Sequence, residues 1–222
     1  MQPPTPQSFH WTECERFLPP SGEPCAWSVE REAGGFRAGE LCMRLPLVAP
    51  LPPGCASLVE YVEGLPQELG RHCVILMQAG AVSLGLLEAG LPLHTKTLKK
   101  YVVRGSGRAQ PAHLKTKGKS RYGSRLRLQN AQQLFEESAE RLLDWWREEG
   151  PIERIFVSAP ERMWADFMRL GVPEALRDRD AWTRIPLDLP RPTTELLLRT
   201  YRGLEYGRIL PRGPILPDDP PA

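Results

Sequence analysis

No run of about 18 uninterrupted apolar residues occurs in the 222-residue chain, so nothing in it reads as a membrane span. The opening residues, MQPPTPQSFHWTECERF, hold neither a basic leader nor an apolar stretch, so a secretory signal is not expected and a cytoplasmic location is. Cysteine is sparse. The five, at positions 14, 25, 42, 55 and 73, form no Cys-x-x-Cys pair, which argues against a zinc ribbon or a disulfide framework. They read as reduced, small apolar side chains. Acidic residues are missing altogether between Ala89 and Phe135, where 11 of the 29 Lys and Arg residues fall. The rest of the chain holds 18 basic and 27 acidic residues, so a net charge of only +2 hides a cationic block on an acidic body. That asymmetry points to a polyanionic partner held on one face.

Residues 1–53 contain ten prolines and few periodic runs. They read as an irregular, Pro-rich N-terminal extension with short strands in AWSVERE and GELCMRLPLVA. Residues 54–210 read as one α/β domain. From Pro211 onward five prolines in twelve residues suggest a disordered tail over 211–222. Inside the domain, residues 55–69 suggest a short helix. HCVILMQ (72–78), AVSLGLLEAG (81–90) and HTKTLKKYVVRG (94–105) read as three strands of an antiparallel meander. Apolar residues at helical spacing from Leu134 to Trp146 predict a long helix that starts near Asn130 and stops at Gly150-Pro151. A strand over 152–158, a helix opened by Ser158 and Pro160 and closed by Gly171, a strand over 183–189 and a helix over 193–204 complete the order. The sequence β-β-β-α-β-α-β-α is that of a ribonuclease-H-like mixed sheet, with right-handed crossovers. Nucleases of that fold hold two metals on carboxylates, one of them on the first strand. The first strand here has no Asp or Glu, so a two-metal nuclease is not expected and no metal or cofactor is anticipated.

The link between the third strand and the long helix is about 25 residues on this reading, far beyond the usual few, and such links are usually functional or disordered. Gly105 and Gly107 flank Ser106, which allows the backbone to approach a ligand closely and to present N–H groups to an anion. Arg104 and Arg108 add charge, and Ala109 and Gln110 follow. Lys115, Lys117, Lys119, Arg121, Arg125 and Arg127 recur at mostly alternate positions, as a phosphate-tracking groove requires, with Tyr122 and His113 available to stack on bases. Glutamine does not titrate, but its amide can orient water and donate to a developing oxyanion beside backbone N–H groups. That suffices only for a substrate that is already reactive, such as an aminoacyl ester on the terminal ribose of tRNA. Ser106 has no His–Asp pair near it in sequence, which disfavours a serine nucleophile. On charge alone, a non-catalytic ribosome- or RNA-binding factor remains the alternative.

The run KKYVVRGSGRAQ…LKTKGKSRYGSRLRLQNAQQLFEE resembles the bacterial branch of the Vms-like release-factor domain, most strongly over Val74–Trp146. The resemblance implies a domain similar to the catalytic domain of eukaryotic and archaeal peptide chain release factors. It places Gln110 at the catalytic glutamine, with Gly105, Ser106, Gly107, Arg108 and Ala109 as its loop. Arg104, Lys115, Lys117, Lys119, Arg121, Tyr122, Arg125 and Arg127 then become RNA-binding. The function implied is release of peptidyl-tRNA from stalled large ribosomal subunits in ribosome-associated quality control, by ester hydrolysis or by cleavage of the tRNA 3′ end. The expected partners are the large subunit, rRNA and peptidyl-tRNA, met by a monomer without metal or membrane. The loop departs from the family's Gly-Gly-Gln: it reads Gly-Ser-Gly-Arg-Ala-Gln, and Pro111 follows.

Overall fold

The computed structural model describes residues 7–100, 119–171 and 182–211. They gather into two compact units, residues 1–69 with 199–222, and residues 70–198.

The second unit is built on β5 (Arg71–Gln78), β6 (Ala81–Glu88), β7 (Leu91–Lys99), β8 (Arg154–Ser158) and β9 (Trp182–Arg184). They lie in the order β7-β6-β5-β8-β9, antiparallel through the meander and parallel from β5 to β8 to β9. This is the mixed ribonuclease-H-like sheet expected from the sequence. The central strands are apolar runs because both their faces are covered: every residue from His72 to Met77 and from Ala81 to Leu87 is buried. One face packs on α2 (Lys119–Glu149) and α3 (Glu161–Gly171), where Ile75, Leu84, Leu142, Trp145, Val157 and Phe167 share a core. The other face meets α4 (Thr194–Leu204): Leu197 lies so near the backbone of Gly85 that an added Cβ would stand 2.5 Å from its Cδ2. The boundary between the two units falls within α4.

The β6–β7 turn is a two-residue reversal in which both Ala89 (φ 48°) and Gly90 (φ 81°) are left-handed, as a type I′ hairpin demands. Pro92 is tolerated in β7 because that strand is at the sheet edge, next to a register shift opposite Leu86 and Leu87.

The first unit has more order than its proline content suggests. β1 (Gln7–His10), β2 (Ser28–Glu30), β3 (Gly35–Ala38) and β4 (Leu41–Arg44) join β10 (Tyr206–Pro211) in a five-stranded antiparallel sheet, β1-β10-β4-β3-β2. A 3-10 helix (Trp11–Phe17) and α1 (Leu58–Glu63) cover one face with Cys14, Leu58 and Tyr61. Residues 1–53, expected to be an irregular extension, thus supply four strands and the 3-10 helix. Residues 54–69, assigned by sequence to the α/β domain, group with this first unit. The four strands are three or four residues long: β2 and β4 fall in the two stretches read as short strands, whereas β1 and β3 carry no local signal, and β10 closes the sheet from the other end of the chain. Pro211, the first residue of the expected tail, ends β10, and residues 212–222 lie outside the described residues.

Candidate functional site

The segment that carries the expected chemistry joins two well-defined anchors. On one side β7 ends at Lys99, and Lys100 is tied down twice. Its N–H donates to the carbonyl of Gly80 at 3.0 Å, and its ammonium meets the carboxylate of Glu137 on α2 at 2.5 Å. On the other side α2 begins at Lys119, eleven residues earlier than the apolar periodicity implied, so the link is shorter than expected. Residues 101–118 lie outside the described residues. With them lie Arg104, Gly105, Ser106, Gly107, Arg108, Ala109, Gln110, His113, Lys115 and Lys117.

The second anchor is unusual. α2 runs 31 residues, about 46 Å at the standard rise. Its C-terminal half is held firmly: Leu134, Phe135, Leu142 and Trp145 are buried, and the buried Ser138 hydroxyl donates to the Leu134 carbonyl at 2.6 Å. At its far end the Arg71 guanidinium donates to the carbonyl of Glu149, a favourable charge for a helix C-terminus. His94 of β7 stacks on Trp145, with centroids 5.6 Å apart, and its Nε2 meets the Glu149 carboxylate at 2.6 Å. The N-terminal half is different. Of the described side chains from Arg125 to Gln133 none is buried, and Arg125, Leu128 and Gln129 are exposed. Leu128 is 72% exposed, a large apolar side chain left in solvent. The second half of α2 is thus fixed to the sheet.

Lys119, Arg121, Tyr122, Arg125 and Arg127 all fall in this first half. Their mostly alternate spacing suits a groove that tracks phosphates. Lys119 and Arg121 fall in the first turn of α2, so positive charge sits at the helix N-terminus. It works against the helix macrodipole: the first turn has no acid, and each cation at that positive end costs a few tenths of a kcal/mol or more, about 0.3–1. Local rules broken in this way are expected at functional or strained sites.

The titratable groups inside the sheet serve packing. His72 is buried, and desolvation with Arg154 nearby lowers its pKa from 6.5 to about 4, so it is neutral at pH 7. Burial pushes the Cys73 thiol far above its ordinary range, which makes it an inert apolar filler. Trp145 lies in the core, and Trp146 and Trp164 pack against it. Among the described residues no three His, Cys, Asp or Glu side chains cluster as metal ligands would, and no helix is long and apolar enough to cross a membrane.

Residues 72–211 match the model of a protein family described as bVLRF1, Bacteroidetes VLRF1 release factor. The chain belongs to this release-factor family. The match runs from the first strand of the mixed sheet through the cationic segment and α2 to the last strand of the chain, so it takes in Gln110 and all of the basic run. Among solved structures, one titled Vms1 mitochondrial localization core is similar, with a TM-score of 0.51 and 15% identity over 80% of this chain and 76% of that one. That likeness shows a shared fold. A second, an archaeal translation termination factor, aRF1, matches at a TM-score of 0.35 and 15% identity, over 59% of this chain and 33% of the other. No curated protein sequence gives a significant match. Membership of the VLRF1 release factors places the chain in translation termination or quality control.

Proposed function

We propose that this VLRF1-family protein frees nascent chains from peptidyl-tRNA on stalled large ribosomal subunits, in the cytoplasm, as a metal-independent enzyme. The observation that carries the reading is the family match across a segment that has no acid and joins β7 to α2. The basic residues of α2 and of the preceding link grip rRNA and the tRNA acceptor end. Gln110 and the backbone N–H groups of Gly105–Ala109 meet the ester at the 3′ ribose. The glutamine amide orients water toward the ester carbonyl carbon, and the N–H groups receive the oxyanion as it forms. The ester C–O bond then breaks, and the departing ribose oxygen takes a proton relayed by the neighbouring 2′-hydroxyl. In a variant of the same reading, a ribose 2′-hydroxyl attacks its adjacent 3′-phosphate to form a cyclic phosphate, the bond from phosphorus to the next nucleotide's 5′-oxygen breaks, and that oxygen takes the proton as the 3′ end departs.

The test is incubation of the protein with purified large subunits that carry labelled peptidyl-tRNA, followed by inspection of the tRNA 3′ end with and without chelator. Free peptide with intact, deacylated tRNA supports ester hydrolysis. Peptide still attached to a short nucleotide remnant supports tRNA cleavage. Subunits that are bound but keep intact peptidyl-tRNA make the protein a non-catalytic ribosome-binding factor, and activity abolished by chelator contradicts metal independence.

A further inference from the structure

Two polar contacts fasten β7 to α2. At one the His94 Nε2 meets the Glu149 carboxylate at 2.6 Å, and at the other the Lys100 ammonium meets the Glu137 carboxylate at 2.5 Å. The spacings agree. From His94 to Lys100 the extended chain rises about 20 Å, and from Glu137 to Glu149 the helix rises about 18 Å. Strand and helix therefore run alongside in opposite directions, pinned at both ends of the shared length. Between the pins Leu98 packs against the core that holds Leu142 and Trp145.

The two pins differ. His94 also stacks on the buried Trp145, so its contact belongs to the packing. The Lys100–Glu137 pair lies nearer the surface, with side chains 25% and 43% exposed, and an ion pair so placed adds little to folding stability. Its position is what sets it apart. Lys100 is the residue from which the chain leaves β7 for the acid-free segment, and Glu137 belongs to the helix by which that segment rejoins the body. Glu137 is also among the first acids after that segment, so the charge of Lys100 is met inside the protein.

We infer that Lys100 and Glu137 are a positioning pair for peptide release: together they hold the end of β7 against α2 and so set where the chain that carries Gln110 departs. The inference rests on the proposed function, and neither residue touches the substrate. Gln110 is ten residues beyond Lys100, a reach of at most about 36 Å. A tilt of about 10° at the point of departure displaces a group at that distance by up to about 6 Å. A misplacement of about 1 Å already costs a reaction about 10²-fold in rate. A contact that matters little to folding can therefore matter to the chemistry.

The experiment compares single-turnover peptide release by the full chain and its variants, at saturating protein, on purified large subunits carrying labelled peptidyl-tRNA. Cosedimentation reads binding, and a thermal melt reads the fold. Glu137→Ala and Lys100→Met each slow release by about tenfold or more, with subunit binding and melting temperature unchanged. The double variant is no slower than either single one, and Lys100→Arg, which keeps the charge, stays nearer the parent. Three results overturn the inference and leave the proposed function standing. One is a parental release rate in Glu137→Ala. Another is weakened subunit binding in Lys100→Met that Glu137→Ala does not share, which makes Lys100 an RNA contact. The third is a melting temperature that falls in step with the rate, which makes the pair structural. A parent protein that releases no peptide overturns the proposed function, and this inference with it.

Discussion

Arg125→Ala is the sharpest probe of the first half of α2. The side chain is exposed and has no ion pair among the described residues, so its removal touches no packing. Folding stability is expected to stay within about 0.5 kcal/mol of the parent. If Arg125 neutralises one phosphate of the RNA, its loss lowers the slope of log affinity against log salt by about 0.7 for a single strand and about 0.9 for a duplex. Between about 50 and about 200 mM salt that difference compounds to roughly threefold: the advantage of the parent over Arg125→Ala shrinks by about that factor across the range. Fluorescence anisotropy with purified large subunits, or with a structured rRNA fragment, reads the two slopes directly, and a thermal melt checks the fold. Parallel slopes refute the reasoning, because they mean that Arg125 meets no phosphate. A large fall in melting temperature refutes it differently, because the residue would then be structural.

Further expectations test the frame that holds the site. Ala89 is left-handed at a turn where asparagine is preferred, so Ala89→Asn should stabilise the protein by up to about 1 kcal/mol in urea unfolding. A Cβ on Gly207 would stand 2.3 Å from the Phe9 ring and 2.6 Å from the carbonyl of Arg44, so Gly207→Ala should cost about 1–3 kcal/mol by the same measurement. The Tyr61 hydroxyl donates to the buried Ala49 carbonyl at 2.6 Å, and Tyr61→Phe should cost about 1–2 kcal/mol by leaving that acceptor unpaired. His72 has a folded pKa of about 4, below its unfolded value of 6.5, so its contribution is complete above pH 6.5 and is lost as the pH falls toward 4. Unfolding midpoints compared between pH 7 and pH 4.5 should therefore drop less in His72→Phe than in the parent.

The sequence was most legible where burial is complete. β5, β6 and β8 are short apolar runs bounded by turns, and their boundaries in the structure lie within two residues of those expected. The fold class followed from their order. The start of α2 was missed because helix recognition depends on a repeating apolar face, and none exists before Leu134. The cations of that first half suggested a phosphate-tracking groove on a long link, and their alternate spacing carries no helical signal. In the first unit, β1 and β10 pair across nearly the whole chain, so neither half of the pairing carries a local signal. The glutamine loop is an expectation from resemblance, because a neutral amide among glycines and cations has no periodicity to mark it, and residues 101–118 lie outside the described residues.

The most direct measurement uses Gln110→Ala with large subunits carrying labelled peptidyl-tRNA. The account expects the variant to cosediment with the subunits as the parent does and to liberate no peptide. Peptide liberated at the parental rate contradicts the role given to Gln110.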